Sequence, residues 1–127
     1  MAGQLLMDTD VLIEYLRGRE RAAEYLEDLE ADLSISVVSV AELFAGVKGN
    51  EEERALQQFL LAFSVLTVTE TVARMGGLYR REYSPSHGTG LADALIAATA
   101  EEQGLSLVTF NRRHFPMVSK VVVPYDR

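Results

Sequence analysis

At 127 residues the chain is long enough for one domain but not comfortably for two, and about two-thirds of its unfolded surface can be buried without staples. It has no cysteine, which excludes disulfides, thiolate metal sites and a cysteine nucleophile, and suits a reducing cytoplasm. Nineteen acids against 12 bases give a net charge of −7, which argues against a protein that coats nucleic acid and leaves room for a local basic rim or a basic protein partner.

Residues 4–7 form a short apolar strand ending at Asp8. The N-terminal stretch, Met1 to Met7, lacks a basic head and a long apolar run, so a signal peptide is not expected, and no segment is long enough to span a bilayer. Leu12, Ile13 and Leu16 share one face of a helix predicted over 9–16, which Gly18 ends. A second amphipathic helix follows over 20–29, with Ala22, Leu26 and Leu29 inward. A strand over 33–37 leads to a helix opened by Ser39 and closed by Gly46. Leu56, Phe59, Leu60 and Phe63 are spaced as one helical face, a third strand covers 65–68, and Val72, Met75, Tyr79 and Glu82 or Tyr83 mark another helix. The turn residues of 84–90 predict a loop, before an apolar helix over 91–103 and strands over 105–108 and 120–123. This alternation predicts one α/β domain over residues 1–127, a mostly parallel five-stranded sheet flanked by helices on both faces. In such sheets ligands bind beyond the C-terminal strand ends.

Most of the acids read as solvated. Glu24, Glu27, Asp28 and Glu30 decorate a helix face, Glu51 to Glu53 open a helix where negative charge suits its dipole, and Glu101 and Glu102 lie at a helix end. Three others stand alone in apolar surroundings. Asp8 follows Leu5-Leu6-Met7, Glu42 is the only charge between Leu33 and Lys48, and Asp93 is the only charge between Leu91 and Ala100. No Lys or Arg lies close in sequence to pair with them, and carboxylates are rarely buried unpaired. If they converge at one sheet edge they repel one another, and a divalent cation offsets that repulsion. An oxygen-only donor set selects magnesium or manganese over zinc. Each acid also has a local alternative. Ser39-Val-Ala-Glu42 fits a capping box, which that motif alone favours. Asp93 can be a first-turn acid of a helix capped by Thr89, and Asp8 a cap on the helix after it. The joint occurrence of all three in an α/β pattern favours a shared site.

Asp8-Thr-Asp-Val-Leu-Ile13, Ser39-Val-Ala-Glu-Leu-Phe-Ala-Gly46, Asp93-Ala-Leu-Ile-Ala-Ala-Thr-Ala100 and Leu107-Val-Thr-Phe-Asn-Arg-Arg-His-Phe115 resemble, in order and spacing, the four motifs of PIN domains, and in particular those of VapC-type toxins. The resemblance implies a sheet ordered 3-2-1-4-5 and a metal-dependent endoribonuclease, a toxin neutralised by a VapB-like antitoxin and leaving 5′-phosphate and 3′-hydroxyl ends. It implies Asp8, Glu42 and Asp93 as the metal-binding acids, Asp8 and Asp93 most directly, with Mg2+ or Mn2+ as the cofactor. Asn111 joins them as a candidate catalytic residue, where some members have a further acid; its carboxamide orients water or substrate and adds no charge. Asp10 departs from the Asn often found there and is given a secondary role. Thr9 and Thr109 are candidate supporting hydroxyls, with capping or turn formation as the equal alternative. His114 is read as a packed or hydrogen-bonded residue beside Phe115 rather than a proton shuttle, and His87 as solvent-facing. Arg80, Arg81, Arg112 and Arg113 are candidates for a basic rim on RNA phosphates, against the alternative of a solvated face. A homodimer is expected, its face on the second or third helix.

Two other readings compete. Asp8-Thr-Asp-Val also resembles the start of haloacid-dehalogenase-type phosphatases, in which the first Asp is a nucleophile. That family needs a lysine and a late acid pair, and here the only lysines are Lys48 and Lys120, with no acid pair after Val108. The other reading is a non-catalytic PIN-fold binding module, which retention of all three acids argues against.

Overall fold

The computed structural model describes residues 4–127; the part of the leader reading that falls on 1–3 lies outside them. Five strands, β1 (Gln4–Met7), β2 (Asp32–Ser36), β3 (Ser64–Leu66), β4 (Ser106–Val108) and β5 (Val121–Val122), form one all-parallel sheet in the order β3-β2-β1-β4-β5. Six α-helices connect them: α1 (Thr9–Leu16), α2 (Glu20–Asp28), α3 (Val37–Ala45), α4 (Asn50–Leu60), α5 (Glu70–His87) and α6 (Leu91–Gln103). A single 3-10 turn at Arg112–His114 follows β4.

β1 is the central strand, and its alternation divides the core. Leu6 lies opposite Leu107 of β4, and both pack with Ile96, Ala97, Ala100 and Phe115 on the α6 face. Met7 lies opposite Val108, and both pack with Val11, Leu12, Ile35, Leu43 and Leu56 on the α1, α3 and α4 face. Paired residues of neighbouring strands point the same way, so an apolar run such as Leu5-Leu6-Met7 serves two cores at once, as a strand covered on both faces requires.

The structure differs from the sequence expectation at two informative places. The helix expected to begin at Ser39 begins at Val37, because β2 ends at Ser36, whose Oγ accepts from the Val38 amide at 3.0 Å and caps α3. Ser39 is therefore inside the first turn, and the capping box with Glu42 does not form. The loop expected over 84–90 is helix as far as His87 despite Pro85. The proline stands in the last turn and costs the helix one bond, to the Arg81 carbonyl, and Gly88, at φ 68°, closes the helix by donating its amide to the Ser84 carbonyl at 3.0 Å. The dimer face expected on α2 or α3 finds only Val37 among the exposed large apolar residues there; others, such as Leu78 and Leu91, lie on α5 and α6. Among the described residues no helix is long and apolar enough to cross a membrane.

α5 lies against α6, and Gly76 sets how closely. A Cβ at Gly76 would stand 2.7 Å from Leu95 Cδ2 and 3.2 Å from Leu95 Cα, whereas one at Gly77 meets nothing within 4 Å. The two neighbouring glycines therefore predict opposite outcomes. Gly77→Ala is expected to stabilise the protein by roughly 0.5–1 kcal/mol through helix propensity. Gly76→Ala is expected to destabilise it by about 1–3 kcal/mol through overpacking against the α6 backbone. Denaturant midpoints of the two variants check this, and shifts of the same sign would refute the close approach.

Candidate active site

The residues just past the strand ends build the site. Past β1, the Asp8 amide continues the ladder by donating to the Val108 carbonyl at 2.9 Å, and past β4 the Thr109 amide donates to the Val122 carbonyl at 3.0 Å. These bonds bring Asp8 and Thr109 side by side at the C-terminal edge. Asp8 also caps α1, its Oδ1 accepting from the Thr9 amide at 2.8 Å, so the cap alternative and the site reading describe the same residue. Thr109 Oγ1 donates to Asp8 Oδ2 at 2.7 Å. With both oxygens engaged from inside, the carboxyl is only 4% exposed.

Asp10, in the first turn of α1, closes over the same edge. Its Oδ2 accepts from the Phe110 amide at 3.2 Å, and its Oδ1 is buried without a partner. Glu42 is reached through a chain of hydroxyls: Thr9 Oγ1 donates to Glu42 Oε1 at 2.7 Å and lies 2.8 Å from Oγ of the buried Ser39. The serine of the expected capping box thus serves this chain instead. Asp93 stands in the first turn of α6, whose N-cap is Gly90 rather than Thr89. Its Oδ2 accepts from His114 Nδ1 at 3.0 Å, while Thr89 Oγ1 donates to the His114 carbonyl at 2.8 Å. Asn111 stands at the start of the 3-10 turn, exposed, its amide N–H donating to Thr109 Oγ1 at 3.0 Å.

The structure therefore links Glu42 to Asp8 through Thr9 and sets Asp93 near enough to act on the Asp8 charge, and it adds two groups given lesser roles from sequence. Asp10 is an integral wall of the site. His114 corrects the expectation of a donor set with no histidine nearby. Thr9 and Thr109 are the hydroxyls that link the acids. Arg80, Arg81, Arg112 and Arg113 are all exposed. His87 is partly covered, with Nδ1 2.7 Å from Ser86 Oγ and its ring edge-on to Tyr83. Glu101, read as solvated, accepts from the Ser119 amide and hydroxyl at 3.2 and 2.9 Å.

Burial pushes the Asp8 carboxyl up to about 8, with the Asp10 and Asp93 charges adding to it and the Thr109 and Thr9 hydrogen bonds opposing it. Burial also raises Asp10, opposed by the Phe110 amide and by the Arg127 guanidinium. The site thus holds more negative charge than it can keep ionised by itself, and one buried carboxylate oxygen has no donor. A hard divalent cation fits both features. Among the described residues no three acid or histidine side chains converge on one point. Magnesium binds through one or two carboxylates and keeps several waters, so the donor set suits it, whereas a zinc cage would need more ligands from the protein.

Comparison with known proteins agrees with this architecture. Residues 5–121 match the family model of the PIN domain. The chain is 44% identical over 124 residues to ribonuclease VapC10 of Mycobacterium tuberculosis, covering 95% of this chain and 92% of that one. It is 40% identical over 124 residues to ribonuclease VapC19 of the same organism, covering 94% and 98%. Among solved structures it superposes on a chain of a toxin–antitoxin complex from Klebsiella pneumoniae with a TM-score of 0.83 and 30% identity, covering 97% of this chain and 99% of that one.

The raised Asp8 carboxyl makes a prediction about folding. In the fold Asp8 keeps its proton up to about pH 8, whereas in the unfolded chain it ionises near ~3.9. Between those limits the unfolded state binds fewer protons, so Asp8 lowers stability as pH rises from about 4 to about 8. Asp8→Asn removes the term, so the variant's unfolding midpoint is expected to gain on the wild type across that window in metal-free buffer. Magnesium or manganese is expected to stabilise the wild type most at the upper end. Parallel wild-type and variant curves from pH 4 to 9 would refute the buried, charge-crowded carboxyl.

Proposed function

The chain belongs to the PIN-domain family, and from that premise we propose that it is a metal-dependent endoribonuclease, the toxin of a toxin–antitoxin pair, with residues 1–127 as its one domain. The observation that carries the reading is Asp8, buried at the end of the central strand with Asp10 and Asp93 acting on its charge and Glu42 joined to it through Thr9. The names of its relatives at 44% and 40% identity, both ribonucleases, support the reaction class. The phosphatase alternative has no support from a family match that covers residues 5–121.

Asp8 and Asp93 would hold the cation, magnesium or manganese, with Glu42 and Asp10 beside them. When bound, the ion acidifies water and offsets charge on the scissile phosphate. The chain's own groups do the rest. Thr109 and Thr9 hold the Asp8 carboxylate in one orientation, and His114 does so for Asp93. Glu42 Oε1 is fixed by Thr9, and Oε2 is the atom assigned to take the proton from the attacking water as it adds to phosphorus. The bond to the 3′-oxygen then breaks, that oxygen takes a proton from solvent water and leaves as a hydroxyl, and Glu42 returns its proton to solvent. Asn111, at the mouth beside Thr109, orients substrate or water through its carboxamide.

The toxin role draws on the Klebsiella structure, a toxin–antitoxin complex. An open groove of about 590 Å³, with an apolar floor of Ile13, Leu16, Leu43, Val47 and Leu56 and with Arg17, Lys48 and Glu52 on its wall, runs to Glu42. It suits an apolar antitoxin segment whose basic residue ends on the acids. A homodimer and a cytoplasmic location complete the proposal.

The test is cleavage of RNA by purified protein freed of any partner, in magnesium and in manganese. Wild type is expected to cut, excess chelator to abolish cutting, and Asp8→Asn and Asp93→Asn each to lose at least about 100-fold. Cleavage that survives chelator, or equal activity in all three proteins, would overturn the mechanism. RNA binding without cleavage under either ion would favour a binding module.

A further inference from the structure

A second cleft, of about 430 Å³, opens beside the site and plays no part in the chemistry above; Glu14, Arg19, Glu20, Arg21, Tyr125 and Arg127 line it. Three of the chain's 12 basic residues meet here in a protein of net charge −7. Their heads are held in place. Arg21 lies over the Tyr125 ring at 4.6 Å and donates to the Asp126 carbonyl, and Arg127 lies over the Phe110 ring at 4.4 Å. The two rings pack edge to face at 5.1 Å. Arg19 stands 4.0 Å from Glu14. A guanidinium stacked on a ring loses little freedom when it meets a phosphate, and Arg21, with one donor given to the Asp126 carbonyl, keeps its other N–H groups for it.

Two further features tie the cleft to an anion and to the site. Helix α2 begins at Glu20 on the cleft wall, and no side chain caps its N-terminus, so its first amides add positive potential there. Phe110, which carries Arg127 on its ring, donates its amide to Asp10 Oδ2, and Glu14 lies one turn after Asp10 on α1. The cleft is thus the continuation of the acidic edge along α1, with the sign of charge reversed.

We propose that this cleft anchors the backbone of single-stranded RNA, with Arg21 and Arg127 binding phosphates beside the one held at the acids and Arg19 adding to the field. The proposal rests on the ribonuclease reading. Glu14 and Glu20 limit the attraction; Glu14 faces Arg19, and Glu20 acts at the helix start, so Arg21 and Arg127 carry the binding.

The test is binding of a fluorescent single-stranded RNA oligonucleotide to the full chain in excess chelator, where it is not cut, at several salt concentrations, beside cleavage kinetics on the same RNA in magnesium. R21Q/R127Q is expected to bind about 10-fold more weakly and to flatten the log–log salt slope by about 1.4, roughly 0.7 per phosphate lost. In cleavage, R21Q, which leaves Arg127 and its charge on Asp10 in place, is expected to raise KM while kcat at saturation stays within about twofold. R21K/R127K keeps most of the affinity, which separates charge from packing, and R127Q alone serves if the double variant unfolds. Unchanged affinity and slope in R21Q/R127Q would overturn the proposal. So would arginine-dependent binding of a polyglutamate peptide with RNA binding unaffected, which would make the cleft a protein-docking site. Arginine-dependent binding in a wild type that cuts no RNA would retain the anchor and remove the ribonuclease reading. A wild type that cuts beside a double variant that binds as tightly would remove the anchor alone.

Discussion

The Asp8 carboxyl sits at the end of the central strand with almost no access to water, and the arrangement around it reflects the need to keep it there. Removing a carboxylate from water is expensive unless something bonds it. Here the Thr9 amide takes one oxygen and the Thr109 hydroxyl the other. The first bond starts α1, so the same contact that satisfies Asp8 directs the chain off the sheet and places Asp10 one residue into the helix. The second ties β1 to the segment after β4. Loss of Asp8 would therefore be felt in the entry to α1 and in the β1–β4 edge as well as in the chemistry.

The strand order explains why this edge is the site. In β3-β2-β1-β4-β5 the sheet is built outwards from β1 in both directions, so the connections after β1 and β4 leave to opposite sides and a crevice remains between them. Asp8 and Thr109 face each other across it. Glu42 arrives from α3, which starts where β2 ends, and Asp93 from α6, which leads into β4. Acids far apart in sequence thereby come to the same sheet edge, Glu42 linked to Asp8 through Thr9 and Asp93 adding its charge to that of Asp8.

Much of this is legible in the amino-acid sequence. The strand order, the helices and the three isolated acids come from periodicity, from the lone charges in apolar segments and from motif resemblance. What escapes a linear reading is the pairing between distant residues. Ser39 reads as the cap in sequence, and only the structure shows that the strand expected to run to 37 ends at Ser36, paired with Leu66, which leaves Ser36 to cap α3. Pro85 signals a loop, yet the packing of α5 on α6 carries the helix past it. Asp10 looks like a spare acid because nothing nearby in sequence reveals the Phe110 amide, 100 residues on. His114 has no visible partner because Asp93 lies 21 residues before it, across the α6–β4 unit.

The choice of partners for the acids has a chemical consequence. Asp8 and Glu42 are bonded by hydroxyls and an amide, and no lysine or arginine pairs directly with either among the described residues. A neutral donor orients a carboxylate and leaves most of its negative charge in place, whereas a lysine beside it would discharge the site and occupy the position a cation needs. The basic residue whose charge acts on the cluster, Arg127, does so through Asp10, at the rim, where its guanidinium is stacked on Phe110. Hydroxyls at the centre keep the carboxylates in demand of a divalent cation, and arginine at the edge provides for a polyanion that the centre alone would repel. The −7 total conceals two opposed local fields, and their separation along α1 is what the proposed cation and RNA-backbone sites would use.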